Sequence, residues 1–332
     1  MATLDSMIYT DSQFKAAFVE EATMGTKNVT TMQKLNITGD PTVTEGLTQD
    51  LSPRTGASGR VQPLADNYVK AGCGQVSTIS FPVTLDTTVF PLLVAGAIDA
   101  AVGTSPAGYA MAYDYQPSEA SHGVSSDRTY TVAWVSPETG ATRIAVGCVI
   151  TELSISAERL SDGMRFSGNV TFSTGYKLLD SEAAPSGLVA YGDTYRFLSE
   201  LSAKVSVGGD DVALRSVEFT ISNPATWAGW QGTDGNPQLM TRAIPKATIT
   251  GTLDVKYDAN TAALWESRRS GTAIAVELSD NATWASATFG FKGAYGVVTG
   301  DVNPTRSDEG MFMSLPLEFT ASTSGDVFEI VP

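Results

Sequence analysis

Apolar and polar residues alternate with a period of two over much of this chain. Between Cys148 and Gly175, Val149, Thr151, Leu153 and Ile155 fall on one side of an extended backbone, and Glu152, Ser154 and Ser156 on the other. That is the pattern of a strand with one buried and one wet face. Beyond Ser161-Asp162-Gly163 the alternation resumes, with Met164, Phe166, Val170 and Phe172 set against Arg165, Ser167, Asn169 and Thr171. This predicts an antiparallel hairpin closed by an Asp-Gly turn, and neither strand carries an obvious reactive group.

The same pattern brackets two long stretches. KLNITGDP (Lys34 to Pro41) and EFTISNP (Glu218 to Pro224) each read as a short strand ending in an Asp-Pro or Asn-Pro turn. Each leads into a segment rich in Gly, Pro and Ser, Gly46 to Gly74 and Asn223 to Pro245, which predicts irregular loops that bind something. The second contains Trp227 and Trp230, which dock either onto a neighbour or onto the chain's own barrel. After the loops come VSTISFPVTLDTTVF and ATITGTLDVKYDANTAALW; placing Asp86 on Asp258 sets Phe81 on Leu253, Val83 on Val255 and Leu92 on Leu264. In both copies a strand ends at an Asp placed to cap the following helix. The second strand of the hairpin has a counterpart near the C-terminus, Met164 matching Met311 and Phe172 matching Phe319.

Strand, long loop, strand, helix, variable segment and hairpin therefore occur twice. The expectation is a mainly β protein of two tandem β-sandwich or barrel domains, residues 31–185 and 186–332, each with one short α-helix. An N-terminal arm, residues 1–30, precedes them, in which DSQFKAAFVEEA predicts two or three helical turns with Phe14, Ala17 and Phe18 on one side.

Composition narrows the function. With 332 residues, 42% of them hydrophobic, the chain can bury a sizeable core. Charged residues make up only 17%, against about 25% in ordinary soluble proteins; a surface covered by partners accounts for this, and so does a Ser/Thr/Gly-rich β composition. The formal net charge is −15 and no basic run is long enough to hold phosphates. Ordinary nucleic-acid binding is thereby disfavoured, whereas a surface that repels DNA fits. The N-terminus is acidic where a secretory signal would be basic, and no window approaches the ~20 apolar residues of a membrane helix, so a cytosolic origin is expected.

Catalytic chemistry has little to stand on. His122 is the single histidine and sits in a polar loop, and Cys73 and Cys148 are too far apart in sequence for a metal-binding spacing. No phosphate loop, dinucleotide fingerprint, nucleophile elbow or EF-hand occurs. Asp210-Asp211 reads as part of a hairpin turn beside Gly208 and Gly209, and Glu20-Glu21 and Asp308-Glu309 as solvated pairs. The expectation is a protein without enzymatic activity, cofactor or metal.

The runs EEATMGTKNVT, LNITGDPTVTEGLTQDLSPRTGASGR, GQVSTISFPVTLDTTVFPLLVAGAID and RIAVGCVITELSISAERLSDGMRFSGNVTFSTGYK resemble the tail tube proteins of long-tailed, non-contractile bacteriophages. The resemblance covers nearly all of residues 20 to 180 and reaches the C-terminus more weakly through the repeat. It implies a structural protein of the virion tail, made and assembled in the host cytoplasm. An arm precedes a β-sandwich with one helix, a long loop bridges successive rings, and a hairpin contributes to the inner wall of a channel for genome DNA. The family's usual chain has one such domain and forms sixfold rings, so two copies imply rings of three chains with pseudo-sixfold symmetry.

On this resemblance the lumen-facing candidates are Glu152, Ser154, Ser156 and Glu158, with Ser314 and Glu318 in the second copy. The inter-ring contact candidates are Phe14, Phe18, Leu51, Arg54, Arg60, Trp227 and Trp230. The implied partners are the chain itself, a tape measure protein and tail-end proteins, with DNA passing through without specific binding and no membrane span. Two other readings stay open at this level. One is a β-sandwich binding module on a virion or cell surface with the Trp loop as its platform; the other is a capsid or baseplate protein.

Overall fold

The computed structural model describes residues 15–46, 54–55, 61–62, 76–98, 109–112, 128–137, 139–159, 164–224, 226–230, 237–241, 248–258, 261–307, 310–320 and 326–332. The elements of the first half are β1 (Ala16–Glu20), β2 (Gln33–Lys34), β3 (Thr42–Thr44), β4 (Arg54–Thr55), β5 (Val61–Gln62), β6 (Ser77–Thr84), α1 (Val89–Ile98), β7 (Tyr109–Ala112), β8 (Tyr130–Val135), β9 (Thr142–Glu158), β10 (Ser167–Thr174) and β11 (Leu179–Glu182). Those of the second are β12 (Lys204–Val207), β13 (Asp210–Asp211), β14 (Leu214–Ser222), β15 (Thr226–Trp230), β16 (Pro237–Thr241), β17 (Thr248–Lys256), α2 (Leu264–Ser270), β18 (Ile274–Ser279), β19 (Gly290–Val298), β20 (Pro304–Ser307), β21 (Gly310–Thr320) and β22 (Asp326–Val331).

The mainly β expectation holds, and the alternation decides most strands directly. In β6, Ile79, Phe81 and Val83 are buried while Thr78, Ser80 and Pro82 are half-buried on the other face. β9 departs from simple alternation. Thr171 lies opposite Glu152 but Phe172 lies opposite Ile150, so Thr151 is an extra, unopposed residue: a β-bulge. The inward set switches there from Leu153 and Ile155 to Ile150 and Cys148, which corrects the uniform face expected for Val149, Thr151, Leu153 and Ile155.

Eight strands run side by side in the order β3-β6-β10-β9-β14-β17-β21-β20, and every neighbouring pair is antiparallel. A second layer covers one face of this run. β1, β8, the first part of β9 and β11 cover the first half; β12, β18, β19 and β22 cover the second. β9 is thus shared by both layers, pairing with β8 and β11 near its start and with β10 and β14 near its end.

The neighbour relations recur between the halves. β1-β8-β9-β10-β6-β3 in the first has the same antiparallel order as β12-β18-β19-β21-β17-β14 in the second. The registers match too: Ala145 lies opposite Val132 and Phe81 opposite Val170, as Gly293 lies opposite Val276 and Leu253 opposite Leu315. These ladders set Phe172 level with Leu317, two residues from the sequence match to Phe319.

The core between the layers is one apolar cluster extending from Ala16 to Ile330. Phe18 and Tyr130 of the covering layer pack on Phe172, with ring centroids 6.0 and 6.1 Å away. In the second half Phe219 packs on Phe291 at 4.8 Å and on Phe328 at 5.1 Å. Phe166 joins the two by resting 5.2 Å from Phe289 and 5.7 Å from Phe291.

Three expectations are corrected. Ala16–Glu20 is strand β1, not helix; Ala16, Ala17 and Phe18 are buried, because the strand is sandwiched with Phe18 in the main core and Ala17 in a small cluster with Met32, Ala133, Ile144 and Val146. Burial on both faces suits a short extended run of Ala and Phe better than a helix with one wet side. The two long loops are not wholly irregular, since each contains a two-stranded hairpin, β4-β5 and β15-β16. Asp210-Asp211 forms the short strand β13 just after Gly208 and Gly209, whose φ values of 68° and 92° make the turn, and Asp211 pairs with Lys204 at 3.1 Å.

Of the two expected Asp caps only Asp86 reaches its helix; α2 follows Ala263 without a side-chain cap, and Asp258 serves the turn before it. Asp86 Oδ1 accepts from the backbone N–H of Thr88 at 2.9 Å, Val89 at 3.0 Å and Gly192 at 3.0 Å. Asp258 Oδ1 accepts from Thr261 N–H at 3.3 Å in the turn before α2. α1 is buried almost all round, whereas α2 lies at the surface with Trp265 exposed.

Candidate functional site

Antiparallel pairing turns the alternation of six strands into a two-faced sheet. On one face Leu153, Ile155, Val217, Phe219, Ile249, Leu253, Leu315 and Leu317 are buried in the core. On the other, cross-strand partners line up in polar rows. One row runs Asn169, Ser154, Thr220, Thr250, Glu318. The next runs Ser167, Ser156, Glu218, Thr252, Pro316, and a third runs Glu158, Ser216, Asp254, Ser314. On the opposite flank of the first row lie Ser80, Thr171, Glu152, Ser222 and Thr248.

All six lumen-facing candidates fall on this polar face. Glu152, Glu158, Ser314 and Glu318 are exposed, and Ser154 and Ser156 are half-buried. The ladders bring Ser154 into one row with Glu318, and Glu158 into one row with Ser314, although the pairs lie in different halves of the sequence. Sequence reasoning missed Glu218, Thr220, Thr250, Thr252 and Asp254, which fill the rows between them. Their alternation in β14 and β17 was a usable signal, but only the register shows which rows they join.

The chemistry of this face is hydroxyl and carboxylate. Ser80 Oγ and Thr171 Oγ1 share a hydrogen bond of 2.8 Å, and Asn169 N–H donates to Ser154 Oγ at 3.0 Å. Five acids, Glu152, Glu158, Glu218, Asp254 and Glu318, share it with Arg215 and Lys256. Arg215 is spoken for: it pairs with Asp254 and its guanidinium sits 4.7 Å from the Phe312 ring centroid. The first two rows carry no cation, so the field there is negative.

The inter-ring candidates scatter. Phe14, Leu51 and Arg60 lie outside the described residues. Arg54 is on β4, and Trp227 and Trp230 are on β15, in hairpins separate from the main sheet. Phe18 is 2% exposed, so it holds the protomer's own core together rather than reaching for a neighbour. The base of the first long loop is anchored, because Gly46 N–H donates to Ser77 Oγ at 3.0 Å and Glu45 pairs with Arg143. Arg143 Nε also donates to Asp180 at 2.6 Å. Burial works to lower the Arg143 pKa, but the two carboxylates outweigh it and raise the value.

Reactive groups are scarce among the described residues. No cluster of three or more His, Cys, Asp or Glu is arranged to hold a metal ion, and His122 and Cys73 lie outside the described part. Cys148 is fully buried, and burial, then the nearby Glu21 carboxylate, push its thiol well above the usual range, so it stays protonated and unreactive. Glu21 is not a solvated acid: its oxygens accept from Thr131 Oγ1 at 2.8 Å, Gly147 N–H at 2.9 Å, Gly25 N–H at 2.8 Å and Thr129 Oγ1 at 3.0 Å. No described helix is long and apolar enough to cross a membrane.

Comparison with known families matches residues 13–321 to the phage tail tube protein family. No curated protein matches the chain.

Proposed function

The chain belongs to the phage tail tube protein family, a structural, non-catalytic family of the virion tail whose members assemble into a tube, and on that footing we propose that three copies close into a ring and that stacked rings form the channel for genome DNA. One observation carries the proposal: a run of eight antiparallel strands with an apolar inner face, an acidic and hydroxyl-rich outer face, and, among the described residues, an open strand at each end. Open edges are a liability in a monomer and vanish when a ring closes. The recurring ladders support two tandem tube-type domains divided near residue 185, the first including β1 and so beginning before residue 31, and hence pseudo-sixfold symmetry.

The polar face then lines the channel. Its free carboxylates repel phosphates, and the scarcity of unpaired cations denies DNA the contacts that non-specific binding needs. Three chains of eight strands give a wall of 24 strands. With strands about 4.8 Å apart and tilted by roughly 40°, its backbone diameter is about 45–50 Å, wide enough for duplex DNA. Stacking between rings falls to the β4-β5 and β15-β16 hairpin loops and to the residues before Lys15. A tape measure protein and tail-end proteins are the further partners, and assembly takes place in the host cytoplasm.

Electron microscopy of the purified protein tests this. Uniform hollow tubes with an inner wall near that diameter are expected. A preparation that stays monomeric at high concentration, or one that forms closed shells, overturns it.

A further inference from the structure

The strand pair β9-β14 joins the two halves by seven consecutive residue pairs, from Glu158 opposite Ser216 to Glu152 opposite Ser222. The recurring ladders say what this joint corresponds to elsewhere. Thr44 lies opposite Thr78, whose counterpart Thr250 lies opposite Thr220, so β3 is the counterpart of β14. Phe81 lies opposite Val170 as Leu253 lies opposite Leu315; in the same frame Ser167, opposite Ser156, corresponds to Phe312, opposite Thr305. β20 is therefore the counterpart of the end of β9.

Among the described residues β3 pairs only with β6, and β20 only with β21. Seven antiparallel pairings in succession leave these two edge strands running in opposite directions, as the β9-β14 joint requires.

Both edges are interrupted in the same way. Ile37 lies opposite Val83 but Thr42 opposite Ser80, and Val298 lies opposite Leu317 but Pro304 opposite Met313, so each edge has two extra residues. Each kink begins Thr-Gly-Asp, and each Thr donates its N–H to a proline carbonyl: Thr38 to Pro82 at 2.9 Å and Thr299 to Pro316 at 3.0 Å. At the corresponding places the strands of the internal joint carry a single extra residue each, Thr151 in β9 and Arg215 in β14, so their kinks are smaller. Short, broken edges resist casual pairing with foreign strands.

We propose that β20 of one chain adds to β3 of the next with Thr305 opposite Thr42 and Asn303 opposite Thr44, repeating the internal joint of Ser156 with Glu218 and Ser154 with Thr220. This rests on the ring reading above. It makes the two kinds of joint unequal: the internal one forms when the chain folds, and the more strongly kinked one forms only between chains.

Disulfide trapping tests the register. Thr42→Cys with Thr305→Cys is made in a Cys73→Ser full-length chain, and Ser156→Cys with Glu218→Cys provides the internal control. After mild oxidation of assembled tubes, the first pair gives covalent dimers and trimers on a non-reducing gel, with nothing larger than the closed trimer. The control stays at monomer mass. Thr44→Cys with Asn303→Cys gives the same trimers, whereas Thr44→Cys with Thr305→Cys, one step out of register, gives few. Tubes in which the internal control cross-links but neither in-register pair does overturn the β3-β20 joint and leave the ring reading intact. A wild-type protein that forms no hollow assembly overturns both.

Discussion

Replacing Phe18 by Ala separates a core strand from a mobile arm. Phe18 is 2% exposed and sits 5.8 Å from the Tyr130 ring and 6.0 Å from the Phe172 ring, so truncation removes a full aromatic side chain from the junction of both layers. Neighbours on three strands hold the site open and limit its collapse. Substitutions of this kind cost about 3–5 kcal/mol, roughly a hundredfold to a few thousandfold in the folding equilibrium. Urea unfolding of the unassembled protein, followed by tryptophan fluorescence, measures the difference from the shift in midpoint at constant slope. A loss below about 1 kcal/mol would place Phe18 in a peripheral arm and refute the sandwiched β1. By the same reasoning, removal of residues 1–24 abolishes folding, because it takes β1 and Glu21 away.

Other expectations follow from named contacts. Changing Glu152 and Glu218 together to Lys leaves tube formation intact in micrographs but slows DNA release from reconstituted virions; normal release kinetics would remove both residues from the channel. Asp86→Ala strips three backbone N–H groups of their acceptor and costs about 1–3 kcal/mol in chemical denaturation, while an unchanged midpoint would deny the cap its role. Burial works to raise the Asp280 pKa, but hydrogen bonds from Thr288 and at the Phe289 backbone, with the nearby Arg196, bring the net value below the ordinary one. A depressed folded-state pKa stabilises above the unfolded value, about 4 for Asp, and that contribution is lost as pH falls through the folded value. Asp280→Asn therefore lowers stability at neutral pH and flattens the acid limb of a stability–pH curve; parallel curves for the two proteins would contradict this.

Alternation made the strands legible and concealed their alignment. β6, β10, β14 and β17 show their inward residues plainly, since one face meets the core and the other meets water. Sliding a strand by two residues leaves that pattern unchanged, so Phe172 matches Phe319 in sequence while the ladders set it level with Leu317. The bulge at Thr151 was hidden because it exists only relative to the partner strand. β1 misled for another reason: Phe14, Ala17 and Phe18 mimic a helical stripe, and nothing local reveals that Ala17 faces a second cluster. The polar face was half visible. Glu152 through Glu158 announced it, but their neighbours Glu218 and Thr220 come from a strand some sixty residues later, and only pairing brings them together.

Because β9 passes from one layer into the other, tension along the wall reaches the covering layer through covalent backbone instead of through side chains that can slip. The continuous strand is interrupted twice, at Thr151 against β10 and between Ala145 and Cys148 against β8. In a tube built from such chains these two interruptions are the places where β9 would yield to bending, with the packed aromatics between the layers as the stiffer part.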